Sequence, residues 1–352
     1  MISIRISVIL PVHNVEMFIK KSINSILSQH RHCFELILVD DGSMDNSDQI
    51  CCEYALEDNC VFVIQTPSSG VSAARNIGLQ AATGDLVMFV DSDDWLDLET
   101  VERCVSEFES NPDLDCLLFT YAKEYEGNTY PKHNFESDLR IDNEKDFRNV
   151  IYRRLFGLIN EELNHPERLE YMTTCWGKVY RREQIKDCRF TDIKKIGSCE
   201  DGLFNMDALL NCRSAVYLDK PFYHYRYTTG SLTLKYRPNL SNQWHHLFDL
   251  MQQRIDGNCL SSDFQEALNN RIALSVLGIG MNEMDNPDGS FFQFIWYMKR
   301  YISSKKYRMA IKTMKLQKLP LPWKMLMLSC KCKFGFGTAM ILKAIRMIKN
   351  RL

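Results

Sequence analysis

Leu86-Val87-Met88-Phe89-Val90-Asp91-Ser92-Asp93-Asp94 is an apolar run that stops abruptly at a cluster of carboxylates. Five apolar residues in a row, preceded by the turn pair Gly84-Asp85, read as a strand buried on both faces. Side chains two apart on an extended chain face the same way, so Asp91 and Asp93 are expected to share one direction. The same pattern occurs twice upstream. Ile6-Ser7-Val8-Ile9-Leu10 runs into Pro11-Val12-His13-Asn14, and Glu35-Leu36-Ile37-Leu38-Val39 runs into Asp40-Asp41-Gly42-Ser43.

The segments between these runs carry helical periodicity. Phe18, Ile19, Ile23, Ile26 and Leu27 recur at helical spacing, a second helix is expected from about 45 to 56 with Ser43 or Asp45 near its N-cap, and a third from about 71 to 82. A further strand is expected over 60–65. Strands alternating with helices predict an α/β fold with a doubly wound, mostly parallel sheet. In such sheets ligands bind beyond the carboxyl ends of the strands, where the three polar clusters fall. After Pro112 the pattern loosens: an apolar run at 117–119, a polar stretch to about 145, then helical periodicity through Ile151, Leu155 and Leu158. Helices dominate from about 241 onward.

Composition bounds the rest. The 352 residues are 45% hydrophobic and 25% charged, as in a soluble globular protein. Length favours two domains, or one of roughly 200–250 residues with an appendage. Charge supports the second arrangement, because residues 289–352 hold fifteen Lys and Arg and no Asp or Glu, while the overall formal charge is only −2. Thirteen scattered cysteines, with Cys51 and Cys52 adjacent, suit cytosolic free thiols better than a disulfide framework. Cys330 and Cys332 lack a second Cys/His pair at zinc spacing, so no metal is assigned there. The first ten residues are too short an apolar run for a signal peptide, and no uncharged apolar stretch reaches 18 residues.

Each polar cluster has a chemical and a structural reading. Asp91 and Asp93 suit a hard cation such as Mg²⁺ or Mn²⁺, which takes one or two carboxylates plus substrate phosphates, although Asp-x-Asp also occurs in turns and N-caps. Asp40 and Asp41 can accept from a pyrimidine N–H or ribose hydroxyls, or simply start a helix. His13 can stack on a base while Asn14 holds the turn. Gly70-Val71-Ser72-Ala73-Ala74-Arg75 opens a helix with small residues, whose free N–H groups suit an anion; Arg75 adds a charge there or pairs a neighbouring carboxylate. Trp95 and Trp176 offer flat faces to a sugar ring, or belong to the core.

Taken together, these clusters strongly resemble the inverting family-2 glycosyltransferases of the GT-A fold. The resemblance runs from Ile6 to about Trp95 and resumes at Trp176-Gly177-Lys178-Val179-Tyr180, Glu200-Asp201-Gly202-Leu203-Phe204 and Tyr223-His224-Tyr225-Arg226. It implies that Pro11, His13, Asn14, Asp40, Asp41, Arg75 and Asp91 contact the donor nucleotide, that Asp91 and Asp93 bind Mn²⁺ or Mg²⁺, and that Glu200-Asp201 supplies the catalytic base, Asp201 being favoured. Trp95, Trp176 and Lys178 fall on the acceptor side. His13 stands where the family more often has Tyr or Phe, which implies weaker or pH-sensitive stacking. Inverting transfer needs a carboxylate to take the acceptor hydroxyl's proton, and adjacent carboxylates raise one pKa toward neutrality. Without the resemblance, Glu200-Asp201 would read as an acidic helix start before Leu203, Phe204, Met206 and Leu210.

The implied layout is a GT-A domain over 1–235, with a donor half to about 97 and an acceptor half over 98–235, then a helical region over 236–352. Ile341, Ile345, Ile348 and Leu352 form one stripe with Lys343, Arg346 and Lys349 off it, predicting a basic amphipathic helix. Leu319-Pro320-Leu321-Pro322-Trp323 upstream suits an interface. The expected partners are a nucleotide-sugar donor, UDP-linked by resemblance, a lipid-linked saccharide acceptor and an anionic membrane surface, an expectation that puts the protein in the cytoplasm against the inner face of the plasma membrane. The alternative for the tail is a helix packed on protein. No nucleic-acid-binding signature accompanies it. Two rival functions are a sugar-1-phosphate nucleotidyltransferase, which would need a Gly-rich basic loop where Pro11-Val12-His13-Asn14 stands, and a catalytically silent scaffold, which Asp91, Asp93 and Asp201 argue against.

Overall fold

The computed structural model describes residues 4–125, 127–227 and 236–349. Among the described residues ten strands form one sheet: β1 (Ile6–Val12), β2 (Phe34–Asp41), β3 (Val61–Thr66), β4 (Leu86–Phe89), β5 (Trp95–Leu96), β6 (Cys116–Tyr125), β7 (Asn128–Lys132), β8 (Leu139–Ile141), β9 (Lys178–Arg181) and β10 (Ala215–Arg226). Their order is β3-β2-β1-β4-β9-β6-β10-β5, with β7 on β6 and β8 on β10. The pairs β3/β2, β2/β1, β1/β4 and β6/β10 are parallel. β9 lies antiparallel between β4 and β6. The expected α/β sheet with a mostly parallel centre is therefore present, with β9 reversed within it and the short β5, β7 and β8 antiparallel to β10 and β6.

Helices α1 (Ile19–Leu27), α2 (Ser47–Glu57), α3 (Val71–Ala81) and α4 (Thr100–Ser110) fall between the early strands. β1 and β2 are buried along their whole length, as continuous apolar runs covered on both faces should be. β3, at the sheet edge, leaves Phe62 46% exposed. α3 comes so close to the sheet that a Cβ on Gly78 would lie 2.4 Å from Ile9 Cγ2, which is why a glycine serves at that crossing. The residues after 140 form four short turns, α5 (Glu144–Phe147), α6 (Arg153–Phe156), α7 (Arg182–Ile185) and α8 (Ile193–Ile196), and then α9 (Glu200–Ala208). The weak periodicity around Ile151 corresponds to a π-helical turn over Arg148–Tyr152.

The chain divides into two compact units. The first comprises residues 1–152, 173–193 and 199–228 and contains the sheet; the second comprises 153–172, 194–198 and 229–352. In the second unit lie α10 (Leu240–Gly257), α11 (Ser262–Leu274), α12 (Val276–Met284), α13 (Phe291–Ser303), α14 (Lys305–Thr313), α15 (Leu321–Lys331) and α16 (Gly335–Lys349). Buried Arg271 of α11 ties the early segment into this unit, donating to the carbonyls of Leu155, Phe156 and Leu169 and pairing Glu170 at 2.8 Å. No helix among the described residues is long and apolar enough to cross a membrane.

The last helix corrects one expectation. α16 buries Thr338, Ala339 and Leu342, whereas Ile348 is 61% exposed and Ile341 and Ile345 are only half-buried. Leu352, the last member of the expected stripe, lies outside the described residues. Packing on α12, α13 and α15 chose this face: Leu342 fills the space opened by Gly280, and the Thr338 hydroxyl meets Ser329 Oγ at 2.9 Å. All thirteen cysteines are free thiols.

Candidate active site

The three strand ends are joined by hydrogen bonds between their own side chains. Asn14, just beyond β1, adopts a left-handed backbone (φ 52°), which its short amide tolerates. Its N–H donates to Ser43 Oγ at 3.1 Å, and its Oδ1 accepts from Met44 N–H at 2.8 Å. His13 Nδ1 donates to the Asp41 carbonyl at 2.8 Å, while Nε2 accepts from Asn14 Nδ2 at 3.0 Å. That pair of contacts assigns one neutral tautomer and fixes the orientation of an exposed ring. Pro11 is buried within β1.

Asp41 faces the start of α3. Its Oδ1 accepts from Ser69 N–H at 2.7 Å and from Ser69 Oγ at 3.1 Å, and its Oδ2 from Gly70 N–H at 2.7 Å. The carboxylate thus anchors the loop ahead of α3, where the sequence suggested backbone donors for an external anion. Gly70, the N-cap, has φ 98°, a conformation that side chains disfavour, so a glycine is required at this anchored turn. Asp40 is buried; Oδ2 accepts from Ser43 N–H at 3.2 Å, and Oδ1 has no hydrogen-bond partner.

Arg75 is the hub. Only 4% exposed, it reaches from α3 to the end of β4 and to the start of α9 at once. Nη2 donates to Asp91 Oδ1 at 2.7 Å, Nη1 donates to Asp201 Oδ1 at 2.7 Å, and Glu200 Oε1 lies 3.7 Å from Nη1. Burial alone would lower the guanidinium pKa, but Asp201, Cys175, Asp91 and Glu200 hold it well above its ordinary value. Asp201 is fixed from the other side, its Oδ2 accepting from Cys175 N–H at 3.0 Å. Glu200, beside it, has its pKa pushed up to about 7, chiefly by burial and then by repulsion from Asp201. Of the adjacent pair, Glu200 is the carboxyl pushed toward neutrality.

The acidic turn after β4 is braced by β10. Tyr223 Oη donates to Asp94 Oδ2 at 2.6 Å and accepts from Asp91 N–H at 3.1 Å. Arg226 N–H donates to Asp94 Oδ1 at 2.7 Å, and Arg226 Nε to the Asp93 carbonyl at 2.8 Å. Burial first, then repulsion from Asp91, raises the pKa of Asp93. A divalent cation would relieve that repulsion, and two carboxylates are what such an ion takes when a diphosphate completes its shell, so the residues fit a metal. Among the described residues, no group of three or more His, Cys, Asp or Glu is arranged to hold one without a substrate.

The aromatic candidates separate. Trp95 is half-buried, stacked on His224 at 5.3 Å with Lys21 Nζ 3.1 Å from its ring centre. His224 in turn meets Glu124 at 2.7 Å. Trp176 belongs to the core: it is 8% exposed, stacked on Tyr223 at 4.5 Å and edge-on to Tyr121 at 4.9 Å, so its faces are occupied and the sugar-stacking alternative falls. Lys178 is buried too, its Nζ donating to the Thr174 carbonyl, and burial lowers its pKa to about 8. A role in direct contact with an acceptor does not fit that placement. Sequence reasoning did not weigh Lys21, Glu124, Tyr223 or Arg226 individually; the period-two Tyr223-His224-Tyr225-Arg226 was the one local signal for the last two.

Comparison with known proteins bears on this arrangement. Glycosyltransferase GlyA of Streptococcus pneumoniae is 35% identical over 254 residues, covering 71% of this chain but only 34% of its own length, so this chain spans about a third of that relative. The uncharacterized glycosyltransferase EpsJ of Bacillus subtilis is 31% identical over 252 residues, covering 71% of this chain and 68% of EpsJ. Among solved structures, Staphylococcus aureus TarS 1–349 in complex with UDP-GlcNAc superimposes with a TM-score of 0.64 at 22% identity, covering 97% of this chain and 92% of that one, which shows the shared fold. The model of glycosyl transferase family 2 matches residues 7–186, more than half of the chain and all of the strand ends joined through Asn14, Asp41, Arg75 and Asp91; this chain belongs to that family.

Proposed function

We propose that the protein transfers a sugar, with inversion, from a nucleotide diphosphate donor to a hydroxyl of a lipid-linked or growing saccharide in cell-surface polysaccharide assembly. The observation that carries the reading is Arg75, which joins Asp91 to Asp201 and so brings a donor-side carboxylate within one guanidinium of the candidate base. The donor is a UDP-sugar; the TarS complex with UDP-GlcNAc supports that choice by fold. Residues 1–97 form the donor half, with Pro11, His13, Asn14, Asp40 and Asp41 around the base and ribose, and 98–235 the acceptor half. Residues 236–352 attach the enzyme to the anionic inner leaflet. The GlyA and EpsJ relatives, both glycosyltransferases, support the reaction class.

In this mechanism Asp201 accepts the proton of the acceptor hydroxyl as its oxygen bonds to the anomeric carbon and the bond to the diphosphate breaks, the electron pair leaving with the phosphate oxygen. Arg75 and Cys175 N–H hold that carboxylate in place. Asp91 and Asp93 would hold Mn²⁺ or Mg²⁺, which offsets charge on the departing diphosphate. Trp95, flanked by Lys21 and Arg226, lines the approach of the sugar. One observation favours a second assignment of the base. Glu200 lies outside hydrogen-bonding distance of Arg75 and titrates near 7, which suits a group that must gain and lose a proton.

The test is nucleotide diphosphate release from a panel of nucleotide sugars with Mn²⁺ or Mg²⁺ and a lipid-linked acceptor. Wild type releases diphosphate from one donor; Asp93→Ala abolishes release, and Asp201→Asn lowers it by about 10²–10⁴-fold while donor binding persists. If Glu200→Gln instead abolishes transfer and Asp201→Asn retains it, Glu200 is the base. Wild-type inactivity with every donor, matched by both variants, would replace the enzyme reading with a nucleotide-sugar-binding scaffold.

A further inference from the structure

Two neighbouring helices of the second unit expose large apolar side chains. Phe292 and Trp296 on α13 are 83% and 62% exposed, and Phe336, Met340 and Met347 on α16 are 51%, 45% and 54% exposed. The two helices lie side by side and antiparallel. At the start of α16 a Cβ on Gly335 would fall 2.6 Å from Lys299 Cβ, whereas Lys343, two turns on, sits 4.9 Å over the Phe291 ring near the start of α13. Their inner faces are set by buried Phe294, Met298 and Ile302 on one and by Ala339 and Leu342 on the other. With roughly 100° of turn per residue, the five exposed apolar side chains fall on one outer side of the pair.

Basic groups stand among them. Lys299, Arg300 and Lys343 are exposed, and none of the three has a carboxylate partner among the described residues. Arg300 lies 5.6 Å from the Trp296 ring centre, close enough to share that face. No acidic residue occurs anywhere from 289 to 352. Charge and shape together select the occupant. A second copy packed isologously would set these same cations against themselves. An aromatic and methionine-rich surface ringed by cations instead matches the boundary between anionic headgroups and acyl chains.

We propose that the outer face of the α13–α16 pair is a docking surface for an anionic phospholipid bilayer. Phe292, Trp296, Phe336, Met340 and Met347 enter the acyl boundary, and Lys299, Arg300 and Lys343 meet the phosphates. The proposal rests on the attachment of residues 236–352 to an anionic leaflet stated with the transfer reading and names the face that makes it; its readout is binding, so a failure of docking and a failure of transfer are separate results.

The experiment is flotation of the full chain with vesicles of phosphatidylglycerol and phosphatidylcholine, or of phosphatidylcholine alone. Wild type floats with the first and stays down with the second. Each basic residue contributes about five-fold to partitioning, so Lys299→Glu/Arg300→Glu/Lys343→Glu loses on the order of 100-fold or more. Trp296→Ser/Phe336→Ser loses at least about ten-fold with an unchanged circular dichroism spectrum, and Leu56→Ser, at a still more exposed position on α2, loses nothing. Flotation of both multiple variants like wild type overturns the proposal. So does a lipid-free dimer by sedimentation velocity that Trp296→Ser converts to monomer, because a second copy would then cover this face.

Discussion

The strand-end site and the α13–α16 face invert each other's use of polar and apolar groups. At the strand ends, Arg75, Asp41 and Asp94 are buried at 4%, 3% and 1% exposure, each tied by hydrogen bonds or ion pairs to segments remote in sequence. On the helices, an indole and two phenyl rings are more than half exposed beside Lys299, Arg300 and Lys343, which no carboxylate pairs among the described residues. Burying charge costs free energy unless every partner is supplied, and exposing aromatic surface forgoes the gain of burial. Each region therefore departs from the cheapest arrangement in the opposite direction. The difference teaches where to look for function: a guanidinium hidden among carboxylates marks a candidate reaction centre, and uncovered aromatics mark a candidate docking surface.

If that contrast is right, substitutions at the site destabilise strongly and substitutions on the face barely register. The largest effect is expected from Arg75→Ala, which strands Asp91, Asp201 and Glu200 without their cation and should lower unfolding free energy by about 3–5 kcal/mol. Urea unfolding measures it, and a wild-type midpoint would break the comparison at its strongest point. Arg75→Lys should recover little, because an ammonium on a single stem does not hold two carboxylates as a planar fork does.

Tyr223→Phe comes next. It removes the donor to buried Asp94 and the acceptor of the partly buried Asp91 N–H, at a cost of about 3 kcal/mol. Thermal unfolding of this variant beside Tyr225→Phe separates the brace from general loss of a tyrosine.

Glu200 sharpens the comparison through pH. Its folded pKa, about 7, lies above the unfolded value near 4.5, so its contribution to stability is fully present below about pH 4.5 and is lost as pH rises through 7. Glu200→Gln should therefore match wild type near pH 4.5 and exceed it by about 3 kcal/mol at pH 8.5. Melting temperatures across that range decide it; a constant offset would assign the effect to packing. The smallest effect is expected from Trp296→Ser, within about 0.5 kcal/mol of wild type. A loss of several kcal/mol there would mean that the ring is part of the helical core, and the contrast would collapse.

The first half of the fold was legible because its signals are local. β1, β2 and β4 are apolar runs read within a few residues, and each ends where its polar cluster begins. The reversed strand β9 was not legible: Lys178–Arg181 is four residues long, carries two cations and owes its place to pairing with both β4 and β6. The tail shows the same limit in a helix. Spacing alone nominated Ile341, Ile345 and Ile348, and tertiary packing buried Thr338, Ala339 and Leu342 instead, because Gly280 leaves room for a leucine at that crossing.

What the amino-acid sequence determined by itself is the alternation of strand and helix, the carboxylates and small residues that close each strand, and the excess of positive charge after residue 288. These follow from side-chain period and local backbone preference, which act over a few residues. Tertiary structure alone decided that Arg75 spans Asp91 and Asp201, 16 and 126 residues away, that Tyr223 braces Asp94 from 129 residues away, and that Asp41 spends its carboxylate on the loop before α3. Which carboxylate meets which cation depends on how the sheet and helices pack, and contacts at that separation leave no period in the chain for a reader to find.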